Sequence, residues 1–512
     1  LSGRDLIQSL ERKAYDLGVQ ATTRVPSDRV AVIAIDDSSI ANLGRWPWSR
    51  EVHARMIDAL AGGKAKVIVN STFFFEPQVD AGLGYIGKLL ELYRNIPQTG
   101  TVPPGFTLLG ELLTEAEQAL NADRKLAASI ERTGNVLLPM VFQALAEPQG
   151  APDPKRPLPD YVLRNSLTLR SPGNDSLTVP GVGPIYPIPE LGVATAAIGH
   201  LNASNDVDGA VRAEPLLVRH HDRYFPSLAL MTAAKSLNLQ VADIKPALGE
   251  AVQLGRLTIR TDPELRMYTF FYADREGRPP FPVDSFFDVF SGKIPAAKYH
   301  DKIVLIGATA AGLGSAQVTP VSPATAPVLT LAHTVSSILG EHFFVTPAWG
   351  FAAEKAVFLV VALYLILLLP RLKAAVAGLL SLALGVALVA AHFVLMVTQL
   401  MWLQLMAAAA LLAVGYAALI TKRFLVTERG KEKSDIESAQ SNRMLGLAYQ
   451  GQGQLDTAFD SFRKLPLDDG VMDLLYNLAL DFERKRQFNK AESVFRYMAD
   501  YNPKFRDLPT RL

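Results

Sequence analysis

Between Phe351 and Ile420 the sequence carries three near-continuous apolar segments, Phe351 to Leu369, Ala374 to Val397 and Leu400 to Ile420. Each is about long enough to cross a hydrocarbon core of about 30 Å as an α-helix. Connections this short are hard to pack inside a water-soluble domain, so the chain is read as an integral membrane protein with the lipid bilayer as its first partner. Glu354 and Lys355, near the start of the first segment, belong at the interface. Arg371 and Lys373 lie between the first two segments and Lys422 and Arg423 follow the third, whereas the link between the second and third holds no cation. By the positive-inside rule the first link and everything after Lys422 are cytoplasmic, and the residues ahead of Phe351 lie outside. An exported domain needs a signal or a further membrane helix ahead of it. The opening "LSGRDLIQSLERKAYDLG" is amphipathic and is neither, so an anchor upstream of residues 1–25 is expected.

The exported part, residues 26–348, reads as α/β. Strands are expected at Val30 to Ile35, Lys66 to Phe75, Asn135 to Phe142, Leu257 to Arg260, Tyr268 to Tyr272 and Lys302 to Ile306. Helices are expected at Arg50 to Ala61, Glu111 to Glu131, Ser227 to Leu237 and Leu331 to Phe343. Their alternation implies a mixed or largely parallel sheet with covering helices. The Pro-rich stretches "EPQGAPDPKRPLPD" and "TPVSPATAP" are expected as surface loops. Lys plus Arg number 51 against 50 Asp plus Glu, with no basic stretch, which argues against a nucleic-acid partner. The absence of cysteine removes disulfides, thiolate ligands and a cysteine nucleophile.

The first strand runs into "DDSSIANLGRWPWSR". Asp36 and Asp37 could hold a metal or act as acid and base. No histidine, lysine or third carboxylate stands close in sequence to complete such a set, and capping the next helix or bonding local amides is the simpler use of them. Trp46 and Trp48 form either an aromatic ligand platform or a lock over the sheet, with Arg50 stacked or paired beside them. The expectation is a structural corner that can also serve a ligand, and no catalytic site. In "NDVDGAVR", Asp206 and Asp208 precede Gly209 like the first half of a calcium loop, but the later oxygen ligands are missing and a β-turn before a strand fits better. Both are retained as ligand candidates, and no metal or cofactor is expected. Adjacent His220 and His221 point to opposite faces of a strand, and His333 lies on an apolar helix where a satisfied buried role is simpler than ligation. "KIVLIGATAAGLGSA" matches neither GxGxxG nor GxxxxGK[ST], so Gly307, Gly312 and Gly314 are assigned to a tight strand-exit loop.

After the membrane segments, two stretches align at a spacing of 33 residues: Leu445 with Leu478, Gly446 with Ala479, Tyr449 with Phe482, Ala458 with Ala491 and Phe462 with Phe495. Small residues let paired helices approach while aromatics fill the gaps. The pattern is similar to the tetratricopeptide repeat, including Pro503 at the terminating position. Two repeats are fewer than such stacks usually need, so a neighbouring subunit or more of the same chain should cover them. The expected organisation is 1–25 amphipathic helix, 26–348 exported domain, 349–424 membrane helices, 425–440 linker, 441–505 repeats, and 506–512 a tail continuing into an output domain.

The stretch "VAVIAIDDSSIANLGRWPWSR", followed in order by "VIVNSTFFFEP", "GHLNASNDVDGAVRAEPLLV", "FPSLAL", "KIVLIGATAAGLGSAQVTP" and three membrane spans, resembles the extracellular CHASE domain, type two, of bacterial receptors, over about residues 1–424. That resemblance implies a periplasmic sensor on the bacterial inner membrane, an upstream membrane helix and a cytoplasmic cyclase, histidine kinase or serine/threonine kinase output. Sensor, three spans and helical repeats together resemble the front half of receptor serine/threonine kinases. The sequence holds no glycine-rich kinase loop, "HRD" or "DFG", so these residues are not expected to transfer phosphate. Where the family pattern has two aspartates, a glutamate and a histidine, this chain has Ser71, Ser315, Leu329 and Leu331. Two functions remain open: a transmembrane sensory receptor, or a scaffold that uses a divergent sensor and repeats for assembly. Either is expected to bind protein partners through the repeats and to act as a homo-oligomer or within a larger membrane assembly.

Overall fold

The computed structural model describes residues 3–78, 80–96, 104–150, 157–169, 178–274 and 279–511. Part of the first Pro-rich stretch, 151–156, lies outside them. Two compact units divide the chain: Leu1–Ile366 with Leu372–Leu412, and Leu367–Arg371 with Ala413–Leu512.

The first unit is built on a sheet of seven strands. "VAVIAI" forms Val30–Ile35, fully buried along its length, because both faces of the sheet are covered. Val30 and Val32 pack into one core with Leu228, Leu331 and Val335; Ala31, Ile33 and Ile35 pack into the other with Met56, Ile57, Leu60, Leu126 and Ile130. Spatially the order is Val283–Ser285, Val30–Ile35, Ile303–Ala308, Val67–Asn70, Val136–Ala144 and Ala197–His200, all parallel, with Val182–Ile185 antiparallel on the far part of Val136–Ala144. The expected mixed, largely parallel sheet with covering helices is what forms.

Several boundaries differ from the expectation for local reasons. The helix expected over Glu111 to Glu131 is two, Pro104–Leu120 and Ala122–Thr133, because Asn121 leaves helical geometry and its side chain caps the second by accepting from Arg124 N at 3.0 Å. The helix expected from Leu331 begins at Pro327, whose missing N–H costs nothing at a first turn, and ends at Gly340 before left-handed Glu341. The strand expected to reach Phe75 stops at Asn70.

After the sheet domain in sequence come three helices of membrane length, Gly350–Arg371, Ala374–Gln399 and Met406–Thr427, with mean hydropathies of 2.3, 2.4 and 1.6. Large apolar side chains such as Leu379 and Leu382 point outward, as a lipid-facing surface requires. The third span starts at Met406 rather than Leu400. Leu400 takes a left-handed conformation, and Met401 pairs with Val345 of the sheet domain, which takes residues 400–405 out of the helix.

In the second unit, residues 413–451 are helical, residues 425–440 included. The helices Leu455–Phe462, Asp469–Arg484 and Phe488–Tyr501 enclose a core of Ala458, Phe462, Ala479, Phe482, Ala491 and Phe495, with Tyr449 partly buried against it. A Cβ on Gly446 would lie 2.3 Å from Phe462 Cε1, so only glycine permits this helix approach. Leu508, in the terminal turn, is buried on the same core.

Candidate functional site

In a parallel sheet the loops after the strands converge at the carboxyl edge, where such folds place their ligands. Here they enclose a cavity of about 550 Å³, within the usual size of a small-molecule site. Ser71 to Phe73 follow Val67–Asn70, Leu201 to Ala203 follow Ala197–His200, and Leu313 to Gln317 come after Ile303–Ala308; Trp46 and Trp48 come after Val30–Ile35, beyond the helix Asp37–Leu43. Val328, Thr330 and Leu331, from the helix Pro327–Gly340, close the other side. Gly307 makes that closure feasible, since a Cβ there would meet Ser71 Oγ at 2.5 Å and Val328 Cβ at 2.7 Å. Gly312 turns the exit loop at φ +83°, which favours glycine.

The tryptophan corner is built by burial. Trp48 is nearly fully enclosed, donates its indole N–H to Gly44 O at 2.8 Å, and meets Trp46 edge-on at 5.0 Å and Phe286 at 4.9 Å. Trp46 is only partly covered and lines the cavity. Arg50 lies over Phe74, donates from Nε to Asp123 at 3.2 Å and from Nη2 to Glu76 O at 3.0 Å. Replacing Trp48 with alanine is expected to cost about 3 to 5 kcal/mol, read as a drop in the cooperative melting temperature of the whole chain in detergent. A melt unchanged within error would show that the corner is not a packing element.

Asp36 and Asp37 stand outside the cavity. Asp36 caps the helix Asp37–Leu43, accepting from Ser39 N at 2.8 Å and Ser285 Oγ at 2.9 Å. Burial disfavours its charge, yet the hydroxyl and amide donors of Ser39 and the Ser285 hydroxyl hold its carboxyl below the ordinary value. Asp37 is exposed in the first helical turn. Asp206 and Asp208 lie in a turn closed by Gly209 at φ +81° and surround buried Arg212. Arg212 binds Asp206 at 2.7 Å and, with paired bonds, Asp208 and Asp16 of the N-terminal helix Gly3–Ala21. These carboxylates fasten that helix to the sheet domain. Among the described residues, no group of three His, Cys, Asp or Glu side chains is placed to hold a metal ion.

Of the expected ligand residues, the cavity therefore gathers Trp46, Trp48 and Arg50 and leaves Asp36, Asp37, Asp206 and Asp208 elsewhere. It also gathers Ser71, Ser315 and Leu331, three of the four positions that depart from the family pattern; Leu329 packs against the core instead. Sequence reasoning missed His53, Asn202, Glu214, Gln317 and Thr330, which line the same space. His53 is enclosed by Trp46, Trp48, Phe74 and Phe286, with Asn70 Nδ2 at 3.2 Å from its Nδ1; burial, then the Arg50 charge, push its pKa down to about 3. Glu214 is pushed up to about 8 by burial, against a bond from Ser227. Position immediately after a parallel strand could have located Ser71 to Phe73 and Leu201 to Ala203, Asn202 among them, whereas His53, Glu214, Gln317 and Thr330 lie within helices or other strands and carry no such signal.

A family model described as the CHASE2 domain matches residues 1–369. Neither curated proteins nor solved structures return a match to the chain. CHASE2 is a sensor domain and not a catalytic one, and with three membrane-length helices it supports a sensory receptor role with the sensor outside the cell. With 369 of its 512 residues covered, and with the parallel sheet, strand-edge cavity and membrane helices in the order set out above, the chain belongs to the CHASE2 domain family.

Proposed function

We propose that the protein is a transmembrane sensory receptor of the bacterial inner membrane, in which occupancy of the strand-edge cavity is passed to the membrane helices through a joint around Trp402. One observation carries this reading: the link between the second and third membrane helices is docked on the sensor. Trp402 N donates to Val345 O at 3.0 Å and Val345 N to Leu400 O at 2.8 Å. The Trp402 ring lies 4.8 Å from Tyr15 and 5.2 Å from Tyr268, so the N-terminal helix, a sensor strand and the interhelical link share one aromatic cluster. Glu11 adds a bond to Ala407 N, at the first turn of the third membrane helix. A link held this way lies on the sensor's side of the bilayer, which agrees with the absence of positive charge in it.

On the cytoplasmic side we assign tetratricopeptide-like repeats. Pairs 33 residues apart, Ala458 with Ala491 and Phe462 with Phe495, take matching buried positions, which supports that assignment. The repeats serve as the surface for protein partners or a second copy, and a serine/threonine kinase is the output the family resemblance implies. Exposed Ser291 and Ser493 test the topology, since no native cysteine interferes. On spheroplasts, Ser291→Cys is expected to react with a membrane-impermeant maleimide, and Ser493→Cys only after permeabilisation. Equal labelling of both from outside would remove the receptor reading.

A further inference from the structure

The cavity wall is rich in polar atoms and carries no free charge. Among the described residues, three titratable side chains line it: Arg50, His53 and Glu214. The Arg50 charge is met by Asp123 and by Glu76 O. His53, with its pKa near 3, is neutral at any physiological pH, and Glu214, at about 8, keeps its proton at neutrality. A charged ligand would thus lose its hydration without meeting a partner, a cost of the kind that excludes charge from buried sites.

What the wall does offer is specific. Gln317 Oε1 and Thr330 Oγ1 are sealed from solvent and have no hydrogen-bond partner, and Thr330 is more than nine-tenths buried. Unsatisfied buried polar atoms are rare in folded proteins because each carries its full desolvation cost, so a pair lining one cavity marks where a ligand's own groups belong. An amide oxygen demands a donor, and a threonine hydroxyl gives or takes one bond. Asn202 and Ser315 stand on the same wall. Trp46, half-covered and held edge-on by Trp48, supplies a rigid apolar plate against which a flat molecule can lie.

We infer that the cavity takes an uncharged small molecule built on a ring that carries hydroxyl groups. This deepens the sensory reading and rests on it. Two sources share that chemistry, a neutral sugar and a neutral phenol, and both have an apolar ring face and hydroxyl groups that can donate to Gln317 Oε1 and pair with Thr330 Oγ1.

Calorimetric titration of the full chain in nanodiscs tests the assignment with four probes: glucose, para-hydroxybenzyl alcohol, para-hydroxybenzoate and tyramine. The last three differ chiefly in charge. Saturable binding is expected for glucose or for the neutral phenol, whichever saturates identifying the source, with the anion and the cation weaker by about tenfold or more. Thr330→Val, nearly isosteric, is expected to weaken the neutral probe by about tenfold without lowering the melting temperature, and Gln317→Ala, at the start of the strand Gln317–Thr319, to weaken it likewise. Charged probes binding as tightly as the neutral phenol, no saturation by either neutral probe, or full binding by both variants would each overturn the inference. A tightly bound charged probe leaves the sensory reading standing, whereas the maleimide result decides that reading by itself.

Discussion

Acidification is expected to unfold the exported domain between about pH 5 and pH 3, through three histidines that must stay neutral. His53, His200 and His333 are buried, and burial pushes each from 6.5 down to about 3. His333 Nδ1 accepts from Tyr272 N at 3.1 Å, while its ring lies parallel to that of Tyr272 and edge-on to Phe281. A proton on that nitrogen would face a donor inside an apolar shell. In the unfolded chain the same rings protonate near 6.5, so their stabilising contribution is complete above that pH and declines as pH falls toward 3. At about 1.4 kcal/mol per unit, three sites cost about 8 kcal/mol by pH 4.5 and about 14 by pH 3, comparable to the whole stability of a domain. Glu214 acts the other way: its proton is retained up to about 8 in the fold against 4.5 unfolded, so acidification from neutrality to about pH 4.5 regains about 3 kcal/mol. Glu11, pushed up to about 7 chiefly by burial, works in the same direction. The histidines outweigh these terms. Melting temperatures followed by circular dichroism should therefore fall steeply below pH 5, and Glu214→Gln should be more stable than the parent at pH 8. A melting temperature level from pH 7 to pH 3.5 would show that these rings titrate normally.

The same residues show where sequence reading stops. "VAVIAI" gives its strand to the residue, because an apolar run of six followed by two aspartates leaves little choice of element or end. The membrane helices are legible from length and hydropathy alone. What periodicity does not encode is convergence. Asp36 and Trp46 are ten residues apart in one quoted motif, yet the first is spent on a helix cap and only the second reaches the cavity. Thr330 and Glu214 carry no motif; one lies on the helix Pro327–Gly340 and the other within the strand Val211–Pro215 of a separate sheet, and only the fold brings both to the cavity wall. Asp206 and Asp208 look like ligand oxygens because the reader of a sequence cannot see Arg212 turning back between them, or Asp16 arriving from a helix nearly two hundred residues earlier. Leu400 to Leu405 read as membrane because they are apolar, and only the pairing of Met401 with Val345 shows that their apolarity is directed to the sensor.

Replacing Trp402 with alanine is expected to release that link, at a cost of about 3 to 5 kcal/mol typical of a buried aromatic. Trp402 is 6 % exposed and packs on Tyr15 and Tyr268, while Tyr15 also meets Phe344 at 5.3 Å. Removing the indole leaves a hole that neither a short link nor a helix pinned by Arg212 and Asp16 can readily fill. Three backbone donors report the result: Val345 N on Leu400 O, Trp402 N on Val345 O, and Gln404 N on the Glu354 carboxylate at 2.8 Å. In the parent these amides should exchange slowly with deuterated solvent, and in Trp402→Ala they should exchange with the kinetics of an open loop. Tyr15→Phe provides the contrast. The Tyr15 hydroxyl is buried without a partner, so its removal should leave exchange unchanged and stability equal or slightly raised. If Trp402→Ala leaves protection at Val345, residue 402 and Gln404 intact, the aromatic cluster is not what holds the sensor to its membrane helices.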